Sequence, residues 1–264
     1  MRQSTPVYPA RSAARPPSAG PGQTIGLLGG SFNPPHVAHR LISEVALKRL
    51  GLDKVWWIVS PGNPLKKRNE TAPLAERIRL CRAMATNRHI VITDFEADLP
   101  SPYTASTLAF LKARSPLVRF VWIMGADNLA SFDRWQRWRE IFTMVPVVVV
   151  DRPGWRLKAL ASKAARAFAT SRLPETEAGT LLSRPAPAWT FLTGPLSHVS
   201  STAIRNNAKA KRQGVAQKAQ SRLRLPWKKT REAAPGPANP EPLSAPDQTS
   251  EPQVAAASMV AQGS

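Results

Sequence analysis

The chain has 264 residues, 37 Lys and Arg against 17 Asp and Glu, a net charge of +20, and one cysteine. A lone Cys excludes an internal disulfide and a cysteine-built metal site, and no apolar run reaches the length of a membrane span, so a cytoplasmic, membrane-free protein is expected. The charge is unevenly shared. Residues 1–23 carry three basic and no acidic groups, residues 24–205 carry 25 and 13, and residues 206–264 carry nine and four. The central part is therefore basic in its own right, which suits an anionic substrate.

Proline marks the ends. Five Pro residues precede the first apolar run and six crowd the stretch from Pro235 to Pro252, so residues 1–23 are expected to be a disordered leader and 232–264 a disordered Pro/Ala-rich tail. Between them lies a basic segment, 208–231, with nine basic residues, no acid and one Trp, expected to be a solvated tail, in part helical. Phosphate-backbone binding by this segment is the weaker reading. The sequence leaves oligomerisation open.

In chain order, residues 24–28 form a short apolar run, broken by Gly29-Gly30-Ser31-Phe32-Asn33-Pro34-Pro35. A helical pattern follows, with Val37, Leu41, Val45 and Leu47 near one face and Gly51 as its stop. The alternation continues with a strand over 55–60, a helix over 74–84, a strand over 89–95, a helix over 104–114 and a strand over 120–124. A short Trp-rich helix near 134–142, a strand over 146–150, an Ala-rich helix near 156–170 and a strand over 188–193 complete it, before a helix opening near Ser201. Cys81 falls on the apolar side of its helix and is expected to be a buried thiol. Continuous apolar strands separated by helices predict an α/β fold: a doubly wound, Rossmann-like parallel sheet in one domain, 24–207. Ligands of such sheets bind beyond the carboxyl ends of the strands.

The first strand-to-helix junction is the richest of these positions. Backbone N–H groups and the helix dipole favour an anion there, and glycines let phosphate oxygens approach the backbone. His36 and His39 are three apart, so both rings can address one group. Two surface histidines or a metal site are the alternatives, but the chain has only four His and no third ligand of the right type lies nearby. Neither the dinucleotide glycine fingerprint nor the P-loop pattern is present. Far downstream, His198-Val199-Ser200-Ser201-Thr202-Ala203-Ile204-Arg205 reads as a second phosphate-facing helix N-terminus.

GGSFNPPHVAH together with SSTAIR resembles the HxGH nucleotidyltransferases. With SPYTASTL (101–108), IMGADNLASFDRWQRW (123–138) and VVDRPGW (149–155), the chain resembles the bacterial nicotinate-nucleotide adenylyltransferases over residues 25–207. One departure is Ala38, where that family usually has Gly between the histidines; a helix tolerates Ala. The resemblance implies transfer of the adenylyl group of ATP to nicotinate mononucleotide, with Mg²⁺ carried by ATP and no metal ligands from the protein. It also implies that His36 and His39 are catalytic, and that Gly29, Gly30, Ser31, Phe32, Lys66 (or Lys67), Gly125, Asp127, Ser201, Thr202 and Arg205 bind ATP. Trp135 would stack on the pyridine ring, Thr104 and Gln136 would face its carboxylate, and Arg152 would take the nucleotide phosphate. A nicotinamide-mononucleotide or phosphopantetheine adenylyltransferase is the alternative with the same chemistry.

Overall fold

Short runs of Val, Ile, Leu and Trp bounded by turn residues satisfy their backbone groups by pairing side by side, and the helical stretches between them cover both faces of the resulting sheet. The computed structural model describes residues 14–62, 71–101, 103–194, 199, 201–206 and 210. Seven strands, β1 (Thr24–Gly30), β2 (Lys54–Val59), β3 (Ile90–Thr93), β4 (Arg119–Gly125), β5 (Val147–Val150), β6 (Arg172–Leu173) and β7 (Trp189–Leu192), form one sheet in the order β3-β2-β1-β4-β5-β7-β6. Every neighbouring pair is parallel. This is the expected doubly wound arrangement.

The helices are α1 (Val37–Leu50), α2 (Leu74–Met84), α3 (Thr104–Arg114), α4 (Ala126–Leu129), α5 (Trp138–Met144), α6 (Arg156–Leu160) and α7 (Lys163–Ala167). On one sheet face, Ile42, Ala46 and Leu50 of α1 and Cys81 of α2 pack with Leu28, Trp57 and Ile123. On the other, Leu108 and Leu111 of α3 and Ile141 and Phe142 of α5 pack with Leu27, Trp56 and Trp122. Cys81 is fully buried and its thiol is pushed up to about 12 by that burial, which makes it inert core.

Several expectations shift. The inward face of α1 is Ala38, Ile42, Ser43, Ala46 and Leu50, about one residue round from the predicted stripe; Val45 and Leu47 are only partly buried. Small residues at 38, 43 and 46 suit a helix lying close to the sheet, and a count of large apolar residues misses them. The Ala-rich stretch is two helices because Ser162 caps α7, its Oγ accepting from the Ala165 N–H at 3.2 Å; serine competes better at a cap than inside a helix. The Trp-rich helix starts at Trp138, after Arg137 in a left-handed conformation (φ 54°). β6 and the 3-10 stretch Glu175–Ser183 were not foreseen.

Packing against the domain also extends upstream of residue 24. Ala14 is fully buried in the core, and the Gly22 N–H donates to the Leu117 carbonyl at 2.8 Å. Residues 14–23, read as part of a disordered leader over 1–23, therefore dock on the domain through contacts that composition does not advertise, and the rest of that expected leader lies outside the described residues. Apart from Ala210, the tail segments 208–231 and 232–264 lie outside the described residues. Among the described residues no helix is long and apolar enough to cross a membrane.

Candidate active site

The strand order reverses at β1, which has β2 on one side and β4 on the other. The chain leaves these strands in opposite directions at their carboxyl ends, so a crevice opens there. The β1 loop supplies its floor. His36 is the N-cap of α1 in extended conformation, and His39 is the third residue of the helix. Their ring centroids are 3.9 Å apart.

The His36 N–H donates to His39 Nδ1 at 3.2 Å. A neutral His39 accepting at Nδ1 carries its proton on Nε2, so it offers one oriented donor. Burial, then repulsion from a protonated His36 and from Arg152, hold His39 well below the usual histidine range; burial, then Arg152, bring His36 down to about 4. Both rings are therefore neutral at pH 7. Phe32 is 1 % exposed and stacks on Trp57 at 5.1 Å while its ring lies 4.7 Å from His39. The Phe32 side chain is thus a support beneath His39, and only its backbone is available to a ligand. Below that, Trp57 Nε1 donates to Ser43 Oγ at 2.7 Å, and Ser43 Oγ to the His39 carbonyl at 2.9 Å.

The downstream Ser/Thr cluster arrives at this same loop. Ser201 Oγ donates to the Pro34 carbonyl at 2.8 Å and Arg205 Nη1 to the Asn33 carbonyl at 2.6 Å; Arg205 Nη2 reaches Thr202 Oγ1 at 3.2 Å. Both sequence-predicted phosphate segments are brought together across 167 and 172 residues. Part of their hydrogen bonding goes to holding the loop, which the sequence reading did not foresee. Ser31 stands half-buried at the start of that loop. Gly29 has a reason besides phosphate approach: a Cβ there would fall 2.5 Å from the Trp122 ring. Lys66 and Lys67 lie outside the described residues.

Across the crevice, β4 ends at Gly125, where a Cβ would meet Asp127 Oδ1 at 2.5 Å and Arg152 Cδ at 2.9 Å. Glycine is what lets those two side chains meet. Arg152 Nη1 pairs with Asp127 Oδ2 at 2.9 Å, and Arg152 Nη2 donates to the Val199 carbonyl at 2.9 Å. Asp127 Oδ1 and His36 Nδ1 are buried with no hydrogen-bond partner among the described residues, unsatisfied groups of the kind a bound ligand completes. Trp135 is partly buried, 4.9 Å from Phe132 and edge-on to Trp122 at 6.3 Å. Thr104 is the first, half-buried residue of α3, and Gln136 is exposed. Among the described residues no group of three His, Cys, Asp or Glu side chains converges as a metal site.

With this geometry the comparisons become specific. A model of the cytidylyltransferase-like family matches residues 27–207. A probable nicotinate-nucleotide adenylyltransferase of Agrobacterium fabrum is 56% identical over 185 residues, covering 70% of this chain and 99% of the relative. The chain belongs to the nicotinate-nucleotide adenylyltransferase family. Family members similarly named in Rhizobium meliloti (57% over 182 residues, 69% of this chain, 97% of the relative) and Methylorubrum extorquens (55% over 181 residues, 69% and 98%) agree. The fold is matched by a solved Plasmodium falciparum nicotinic acid mononucleotide adenylyltransferase complexed with NaAD, with TM-score 0.51 and 17% identity over 70% of this chain and 83% of that one.

Two buried charged groups, one of them bonded to the β1 loop, escaped the sequence reading. Arg77 of α2 is 1 % exposed, and Glu96, after β3, is 6 % exposed. Thr107 Oγ1 of α3 donates to Glu96 Oε1 at 2.6 Å, while burial pushes that carboxyl up to about 7. Each sits in a charged or polar stretch that looks solvated in one dimension, and only tertiary contact internalises it.

Proposed function

We propose that the chain transfers the adenylyl group of ATP to nicotinate mononucleotide, releasing pyrophosphate and forming nicotinate adenine dinucleotide in NAD biosynthesis, in a cytoplasmic setting. The observation that carries this reading is the meeting of the His36/His39 junction with the Ser201–Arg205 segment on a single loop. ATP enters as its magnesium complex. The mononucleotide phosphate is already an oxyanion at neutral pH, so one of its oxygens bonds to the α-phosphorus while the bond to the bridging oxygen of pyrophosphate breaks. No general base is needed; positioning and charge stabilisation do the work.

In this reading His39 Nε2–H donates to the α-phosphate as charge develops, and His36 contacts the same triphosphate. The Gly29–Phe32 backbone, Ser31, Ser201, Thr202, Arg205 and Lys66 hold the phosphates. Asp127 accepts from the ribose hydroxyls, beside Gly125. Oδ1 can serve that role with Oδ2 still paired to Arg152; loosening of that pair would free the guanidinium for the mononucleotide phosphate. Trp135 stacks on the pyridine, and Thr104 with the backbone at Gln136 takes its carboxylate.

The test is pyrophosphate release from purified protein with MgATP and each pyridine mononucleotide. The acid should exceed the amide by some thirty- to a thousandfold in kcat/KM, about 2–4 kcal/mol, because N–H donors aimed at a carboxylate meet a carboxamide NH₂ unproductively. Equal use of the two would overturn the pyridine assignment, and no release with either would overturn the reaction.

A further inference from the structure

Arg77 makes no ion pair among the described residues. All of its acceptors are backbone carbonyls: Nε donates to Ala72 at 2.9 Å, Nη1 to Ser31 at 2.8 Å and to Ser60 at 2.7 Å, and Nη2 to Pro61 at 3.2 Å. An apolar side chain of similar size would fill this space at lower desolvation cost, so packing alone does not explain a buried cation here. A guanidinium stays charged and its planar fork can address several acceptors at once. It gathers the segment after β1, the segment after β2 and the approach to α2 onto one group. Asn33 adds a parallel tie, its Oδ1 accepting from the Ala72 N–H at 3.2 Å.

The Ser31 bond has a directional consequence. In a planar trans peptide the carbonyl and the following N–H point opposite ways. Holding the Ser31 carbonyl toward α2 therefore turns the Phe32 N–H away from it. Phe32 itself has φ 43°, a left-handed value that a bulky residue adopts only when its surroundings enforce it. Arg77 on the carbonyl side and Trp57 against the ring are those surroundings.

We propose that Arg77 is a positioning residue of the triphosphate site: it sets the Ser31–Phe32 peptide so that its N–H faces incoming phosphate, and its charge, balanced by no carboxylate among the described residues, adds to the positive potential behind the loop. This rests on the adenylyl-transfer reading. Arg77→Lys and Arg77→Met would be compared with wild type for thermal midpoint, for KM of ATP and of nicotinate mononucleotide separately, and for calorimetric binding of α,β-methylene-ATP.

Arg77→Lys should raise the KM for ATP and the Kd of the analogue at least tenfold, lower kcat, and leave the mononucleotide KM within twofold. Arg77→Met, without the charge, should be worse than Lys at equal stability. Unchanged ATP parameters in a folded variant, or equal changes for both substrates, would overturn the proposal. Where neither variant folds, hydrogen exchange on wild type decides: the analogue should protect residues 29–33 and 60–62 and the mononucleotide should not, and no protection by the analogue overturns it. Wild-type protein inactive with MgATP and the mononucleotide but still binding the analogue with this protection would sink the reaction while sparing the role of Arg77.

Discussion

The two walls of the crevice are built differently. On the side proposed for the triphosphate, the β1 loop is held from three directions: Arg77 from α2, Ser201 and Arg205 from the far end of the fold, and Trp57 from the sheet below. His39 has its tautomer set by a backbone donor and its carbonyl anchored by Ser43. On the side proposed for the pyridine, Gln136 is exposed, Thr104 half-buried, and Trp135 rests on its aromatic neighbours without a comparable set of ties among the described residues. With the roles proposed above, the contrast teaches that the reaction centre would be preorganised, as electrostatic catalysis requires, whereas substrate choice would be left to residues at the rim.

The sharpest way to break this comparison is His39→Ala. Removing one preorganised donor should cost about 2.7–4 kcal/mol, a hundred- to a thousandfold in kcat, with the thermal midpoint nearly unchanged. Activity within about tenfold of wild type would remove His39 from any central role. Trp135→Ala should act more gently, lowering kcat/KM for acid and amide substrates alike by about tenfold, since stacking does not distinguish them. A selective loss for one substrate would mean that the rim tryptophan also reads the carboxylate.

Stability against pH probes His36 and Glu96 at once, because the two buried groups shift in opposite directions. The His36 value is depressed from 6.5 to about 4, so the folded state resists protonation and stability is lost as pH falls from about 6.5 toward 4. The Glu96 value is raised from 4.5 to about 7, so its contribution is full below 4.5 and is lost as pH rises toward 7. The two slopes oppose each other between pH 5 and 6.5. Glu96→Gln keeps an oxygen for the Thr107 hydroxyl and should expose the histidine slope, with a thermal midpoint that climbs from pH 5 to 6.5 and exceeds wild type at pH 8. A variant tracking wild type at every pH would show that Glu96 does not titrate in this range.

The smallest effect concerns the N-terminus. Deleting residues 1–13 should leave activity and thermal midpoint unchanged, whereas deleting 1–22 removes the buried Ala14 and the Gly22–Leu117 bond and should cost about 1–2 kcal/mol, a few degrees in a domain of this size. Both truncations should keep the acid over amide preference. Equal midpoints for the two would mean that 14–22 adds nothing to the core.

Local pattern made the alternation of strands and helices readable, because hydrophobic period and turn residues act over a few positions. Gly51 ends α1 in the left-handed conformation as its position implied, and helix 74–84 falls where its period put it. The His36/His39 pair was legible too, since residue spacing and a strand-to-helix junction are properties of one segment. The joining of Arg205 to Asn33, the pairing of Asp127 with Arg152 and the burial of Arg77 and Glu96 were not. Each depends on which distant segments the sheet order makes neighbours. A basic or acidic side chain in a polar stretch looks the same in one dimension whether it meets water or four carbonyls, and only the packed chain decides which.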